Sequence, residues 1–117
     1  MSLPPCPSSP NCVSSLAESK KHSIEPFTYK QEKEKAISAL HQLLEEESLA
    51  TVIEITEERI KAEYKTPVLK FTDDLEFYFG ELGTVHLRSA SRIGHYDLGK
   101  NRKRMEYIRK QFNRKLG

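Results

Sequence analysis

Between Ile53 and Leu87 the apolar residues fall on alternate positions, and that period of two commits the middle of the chain to paired strands. Ile53 and Ile55 alternate with Glu54, and Ile60, Ala62 and Tyr64 alternate with Lys61, Glu63 and Lys65. Matching the apolar faces of the two runs predicts a hairpin with Ile55 opposite Ile60, Ile53 opposite Ala62 and Glu54 opposite Lys61. Its turn falls on Glu57-Glu58, poor chemistry for a two-residue loop, so a longer one competes with it. After Pro67, Leu69, Phe71, Leu75, Phe77 and Phe79 share a face, and a turn over Gly80 to Gly83 leads into Val85 and Leu87. A second hairpin then sets Phe79 opposite Val85, Phe77 opposite Leu87, Tyr78 opposite His86 and Glu76 opposite Arg88. Asp73 interrupts the apolar series and requires a bulge, a strand break or a charged partner.

The period lengthens on both sides of this block. From Glu32 to Ser48, Ala36, Ile37, Leu40, Leu43 and Leu44 recur at helical spacing, and near the end Met105, Ile108, Phe112 and Leu116 do the same, with Asp97 or Asn101 as the cap. Glu45-Glu46-Glu47 opposes the dipole of the first helix, which predicts fraying or basic neighbours there. The expected fold is α+β: a four-stranded antiparallel sheet with two helices packed on one face, in the order helix, strands, helix, leaving the opposite face largely polar. Residues 1–15, with Pro4, Pro5, Pro7 and Pro10, read as an extended arm, and residues 16–117 as one domain; Phe27-Thr28-Tyr29 is a short strand or packs over the core edge. A chain of 117 residues leaves little room for a second core.

Charge is unevenly spread. Residues 1–87 carry nine Lys/Arg against fifteen Asp/Glu, and residues 88–117 carry ten against two, so a stretch of −6 is followed by one of +8. The basic end either attracts phosphates, acidic partners or anionic lipid or neutralises the rest of its own fold. No apolar run approaches the ~20 residues of a membrane helix, so the chain reads as soluble. Met1-Ser2-Leu3 is native or vector-derived. The compartment is cytoplasmic if the N-terminus is native, and extracytoplasmic or membrane-attached if a leader has been removed.

Two segments hold the unusual chemistry. In CPSSPNC, proline and asparagine between Cys6 and Cys12 fold the arm back, and a disulfide worth about 2 kcal/mol competes with inert thiols and with a reactive one. Metal binding is disfavoured: the cysteines lack the short Cys-x-x-Cys spacing and the histidines are scattered at 22, 41, 86 and 95. In RSASRIGHYDLGKNRKR the chain leaves a strand and enters a helix, where Arg88, Ser89, Ser91, Arg92, Asn101, Arg102 and Arg104 gather donors beside a helix N-terminus, an arrangement suited to a small anion. Gly94 and Gly99 fit a tight turn, without any dinucleotide or Walker-type pattern. The structural alternative pairs Arg88 with Glu76 and Arg92 with Asp73 or Asp74, and makes Asp97 a cap. Asp73 and Asp74, adjacent in a strand, point to opposite faces and are poor acid/base partners.

CPSSPNCVSS at 6–15, KFTDDLEFYF at 70–79 and RSASRIGHYDLGKNRKRMEYIR at 88–109 together resemble the domain of unknown function 1499 family, over nearly the whole chain. The resemblance implies a family and brings no activity, substrate or catalytic residue with it; many relatives look exported or membrane-attached ahead of this cysteine segment. The expected function is a non-catalytic binding or interaction module for a small anion or an acidic protein partner, without cofactor or metal. One alternative is an enzyme using a thiol, or Ser14, Ser15, Ser89 or Ser91 with His86 or His95, although no spaced triad is present. The other is nucleic-acid binding through the basic last helix, which has no aromatic stacking motif to support it.

Overall fold

The computed structural model describes residues 3–9, 11–67, 71–93 and 99–117. Its elements run β1 (Cys12–Ser14), β2 (Phe27–Thr28), α1 (Lys33–Glu46), β3 (Ala50–Ile55), β4 (Arg59–Lys65), β5 (Thr72–Tyr78), β6 (Thr84–Ser91) and α2 (Lys100–Leu116). The α+β class stands, but the antiparallel sheet has six strands instead of four and two of them precede the first helix. The order is β1-β6-β5-β4-β3, with β2 also on β6. The extra strands are two and three residues long, too short to show a period, and the free edge of β6 dictates their pairing. Thus the end of the proline-rich arm is a sheet strand: Cys12, Val13 and Ser14 face Ala90, Ser89 and Arg88.

The second hairpin has the expected register, with Phe77 opposite Leu87, Tyr78 opposite His86 and Glu76 opposite Arg88. Gly83 closes its turn with φ 82°, a left-handed value that suits glycine. The first hairpin pairs Ile55 with Ile60 and Glu54 with Lys61, and its turn is Glu57-Glu58. That turn succeeds because the Thr56 hydroxyl accepts the N–H groups of Glu58 (3.3 Å) and Arg59 (3.0 Å). Beyond Glu54 the register shifts, so Val52 and not Ile53 faces Ala62. An edge strand tolerates such a bulge, and it leaves Ile53 56% exposed. Ile53→Lys is therefore expected to change unfolding stability by no more than about 0.5 kcal/mol in urea, whereas a loss of several would put Ile53 in the core.

Leu75, Phe77, Phe79, Val85 and Leu87 form the buried sheet face. Onto it pack Ala36, Leu40, Leu43 and Leu44 of α1 and Met105, Ile108 and Phe112 of α2, as the helical spacing requires. Phe71 is 40% exposed: β5 begins only at Thr72, and the Phe71 N–H is bonded to the Thr66 hydroxyl. The acidic end of α1 meets basic neighbours, with Lys115 Nζ 3.1 Å from Glu46. On the opposite face, Arg59 pairs with Glu76 at 2.9 Å and stacks on Tyr78, while Arg92 bridges Asp74 and Glu63. At the β1 edge of that face Cys12, Ser14 and Ala90 are buried, with the residue 3–9 arm joined to them through Cys6 and through Pro5, whose carbonyl accepts Arg88 Nη2.

Candidate functional site

The core face of the central hairpin turns from apolar to polar at one end. Along β5 Phe77 and Leu75 give way to Asp73, along β6 Val85 and Leu87 give way to Ser89 and Ser91, and Asp73 and Ser91 are cross-strand partners. The first turns of α2 bring Asn101 and Arg104 to this end. Asn101 is fully buried and uses its whole amide: Nδ2 donates to the Asn11 carbonyl and to Ser91 Oγ, both at 3.1 Å, and Oδ1 accepts from Ser89 Oγ and from Arg104 Nη1 at 3.1 Å. Arg104 Nη1 also meets Asp73 Oδ2 at 2.7 Å, with the two side chains only 8% and 3% exposed. The guanidinium lies 4.2 Å from the ring centre of Tyr64, which is the cross-strand partner of Asp73. Asp73 Oδ1 is buried without a hydrogen-bond partner among the described residues.

Arg104 is thus clamped on three sides, and among the described residues its side-chain hydrogen bonds run through Nη1, which leaves the Nε and Nη2 hydrogens to be offered elsewhere. Beside it, between the end of α1 and the face of α2, opens a groove of about 360 Å³. Leu44, Ile108 and the rings of Tyr64 and Tyr107 give it apolar walls, and Lys103, Arg104 and Glu47 are its charged groups. A second hollow of about 230 Å³ shares Glu47 and Tyr107 and reaches Arg114 and Lys115. The Tyr107 hydroxyl donates to Glu47 at 3.4 Å, and the charge of Glu47 holds the phenol above its ordinary pKa.

Of the residues expected to gather on an anion, Ser89, Ser91, Asn101 and Arg104 do come together, in the buried cluster. Arg88, Arg92 and Arg102 do not join them. Arg88 donates to the Pro5 carbonyl, Arg102 to the carbonyls of Ser23 (2.6 Å) and Lys21 (3.2 Å), and Arg92 is chelated by Asp74 and Glu63, which hold its proton well above the ordinary range. The expected internal pairs are redistributed: Glu76 takes Arg59 in place of Arg88, Asp73 takes Arg104, and Asp74 keeps Arg92. Asp73 and Asp74 do point to opposite faces, one buried and one half-buried. Gly94, His95 and Asp97 lie outside the described residues; the N-cap of α2 is Gly99, and Asn101 sits inside the helix.

Cys6 and Cys12 form a disulfide. Ser15 Oγ lies 3.0 Å from His86 Nδ1, and His86 Nε2 lies 3.2 Å from Glu81. This serine also accepts the Leu87 N–H at 2.9 Å while its own N–H reaches the Leu87 carbonyl at 2.9 Å, so it extends the β1–β6 ladder by one residue. Tyr64, Tyr107, Lys103 and Asn11 are not among the residues expected to gather on an anion. Tyr64 carried a signal, as the aromatic that faces Asp73 when both strands are put in register; Asn11 acts through its main-chain carbonyl, which no side-chain pattern displays.

Over residues 2–112 the chain matches the family model described as Protein of unknown function (DUF1499). No curated protein matches it.

Proposed function

We propose that this chain, which belongs to the DUF1499 family, is a non-catalytic binding module whose site is the groove beside Arg104, and that it takes a small amphipathic ligand with an acidic head. The observation that supports this reading is the immobilised guanidinium. Asp73, Asn101 and Tyr64 fix Arg104 before any ligand arrives, so little side-chain entropy is lost on binding. Burial strengthens the remaining N–H donors, and Lys103 adds a second cation at the rim. Leu44, Ile108 and two aromatic rings then receive the apolar part, as in small-molecule sites generally. Glu47 opposes the cations but is engaged by Tyr107. The proposed site thus moves from the strand-to-helix junction to the helix–helix groove, with Arg104 common to both.

A thermal-shift series separates head from body. Decanoate and phenyl phosphate are expected to raise Tm by about 10 degrees, corresponding to about 2.7 kcal/mol at a hundredfold excess over Kd, while decanol and inorganic phosphate do far less. Lys103→Glu, at an exposed position, should cut the shift without altering the fold. Equal shifts from inorganic phosphate and phenyl phosphate, or none from any probe at millimolar concentration, would sink the proposal.

A further inference from the structure

The Cys6–Cys12 bond is asymmetric. Cys12 is fully buried in β1, whereas Cys6 is partly exposed and lines a pocket of about 380 Å³ together with Pro5, Ser14, Leu16, Glu18 and His22. An external thiol therefore has a route to one sulfur and none to the other. His22, itself only 7% exposed, places Nδ1 at 2.9 Å from the Cys12 carbonyl. A carbonyl only accepts, so in the neutral ring Nδ1 carries the hydrogen and Nε2 is left with its lone pair. Nε2 has no hydrogen-bond partner among the described residues, so the pocket that exposes Cys6 also holds an imidazole fixed in the tautomer of a base.

The arm has few other ties. No main-chain to main-chain hydrogen bond joins residues 3–9 to the rest among the described residues. Its links among the described residues are exposed: Arg88 Nη2 to the Pro5 carbonyl at 3.2 Å, and Lys21 Nζ to the Ser8 carbonyl at 3.4 Å, with the Ser9 hydroxyl donating to nearby Asn11.

We propose that Cys6–Cys12 is a thiol–disulfide exchange site, attacked at Cys6 with His22 Nε2 as proton acceptor, and that its reduction releases residues 3–9 from the sheet. An incoming thiol gives its proton to Nε2, and its sulfur bonds to Cys6 Sγ as the Cys6–Cys12 bond breaks. The electron pair leaves on Cys12 Sγ, which takes up the proton. A second thiol of the same dithiol donor then displaces Cys6, so that the donor ends as a disulfide and both cysteines as thiols. Among the described residues the charged groups around His22 are Glu18 in the pocket lining, Lys21 next in sequence, and Arg102, which holds the carbonyls of Lys21 and Ser23. The site is remote from the groove in its residues, and its test is independent of ligand binding there.

Glutathione is the probe for the first step. The folded chain is incubated with excess glutathione at pH 7, quenched by alkylation and mapped by peptide mass. The expected product carries glutathione on Cys6 and the alkyl group on Cys12. His22→Gln should slow its formation about tenfold at pH 7, and the gap should close at pH 9, where glutathione ionises unaided. After reduction by dithiothreitol, ¹⁵N relaxation should show the order parameters of Cys6, Ser8 and Ser9 falling below about 0.6. An adduct on Cys12, equal or faster exchange in His22→Gln, a bond that opens only in denaturant, or an arm that stays rigid when reduced would each overturn the proposal. The position of the adduct is read on the unaltered chain, so that part of the test stands even if His22→Gln fails to fold.

Discussion

Arg104→Met is expected to destabilise the domain by about 3–5 kcal/mol, read from the urea midpoint at unchanged m. The substitution strips Asp73 of its charged partner while leaving the carboxylate buried, with Oδ1 already lacking a hydrogen bond among the described residues. It also removes the cation from the Tyr64 ring and one donor from Asn101 Oδ1. Asp73→Leu, which strands the guanidinium in the same way, should cost a comparable amount. The double variant Asp73→Leu/Arg104→Met should recover most of the loss, because an apolar pair of similar volume avoids the desolvation of both charges. A double variant as unstable as the sum of the singles would mean that the two residues do not act as a pair. If the double variant is stable yet no longer binds the groove ligands, the ion pair is retained for the site and not for the fold.

Phe27→Ala should be nearly as costly, about 3–5 kcal/mol. Phe27 is fully buried although it belongs to a strand of two residues, and its ring lies 6.1 Å from that of Phe77 and 5.4 Å from that of Phe112, so it joins the sheet to α2. Arg109 covers it from outside, with the guanidinium 5.1 Å from the ring centre and donating to the carbonyls of Pro26 (2.8 Å) and Glu25 (2.6 Å). Truncation opens a cavity at the meeting point of β2, β5 and α2 and loosens the segment Arg109 holds. Hydrogen exchange should show the Thr28 and Tyr29 amides losing protection more than Leu75 and Phe77. Uniform loss across the sheet would instead indicate that β2 opens only with global unfolding.

Both residues mark where sequence patterns stopped. The period of two carried strands β4, β5 and β6 and the register of β5 against β6, because a one-residue slip would turn Phe77 and Leu87 to solvent. It failed at Ile53, where the neighbouring Val52 serves the core equally well and an edge strand absorbs the extra residue. Asp73 was legible as a charge needing a partner; that the partner is Arg104 was not, since the contact spans a sheet and a helix 31 positions apart and depends on how α2 is laid over the hairpin. Composition displayed the basic end of the chain but not its use. Arg102 and Arg109 hold main-chain carbonyls of the N-terminal segment, acceptors with no side-chain signature. Much of the positive charge thus completes the fold's own hydrogen bonding, the bland reading of a polarised sequence. The strands β1 and β2 carried no periodic signal at all and are defined by the edge they cover.

Much of the arginine-rich junction is therefore spoken for, and the binding we propose is referred to Arg104, whose guanidinium is both clamped and adjacent to a hollow. The most direct test of that claim is a ¹H–¹⁵N titration of the labelled chain with decanoate at physiological ionic strength. Binding in the groove beside Arg104 predicts saturable shifts concentrated on Leu44, Tyr64, Lys103, Arg104, Tyr107 and Ile108. Shifts that never saturate, or that follow the exposed basic residues Lys110 and Arg114 and vanish with salt, would contradict it.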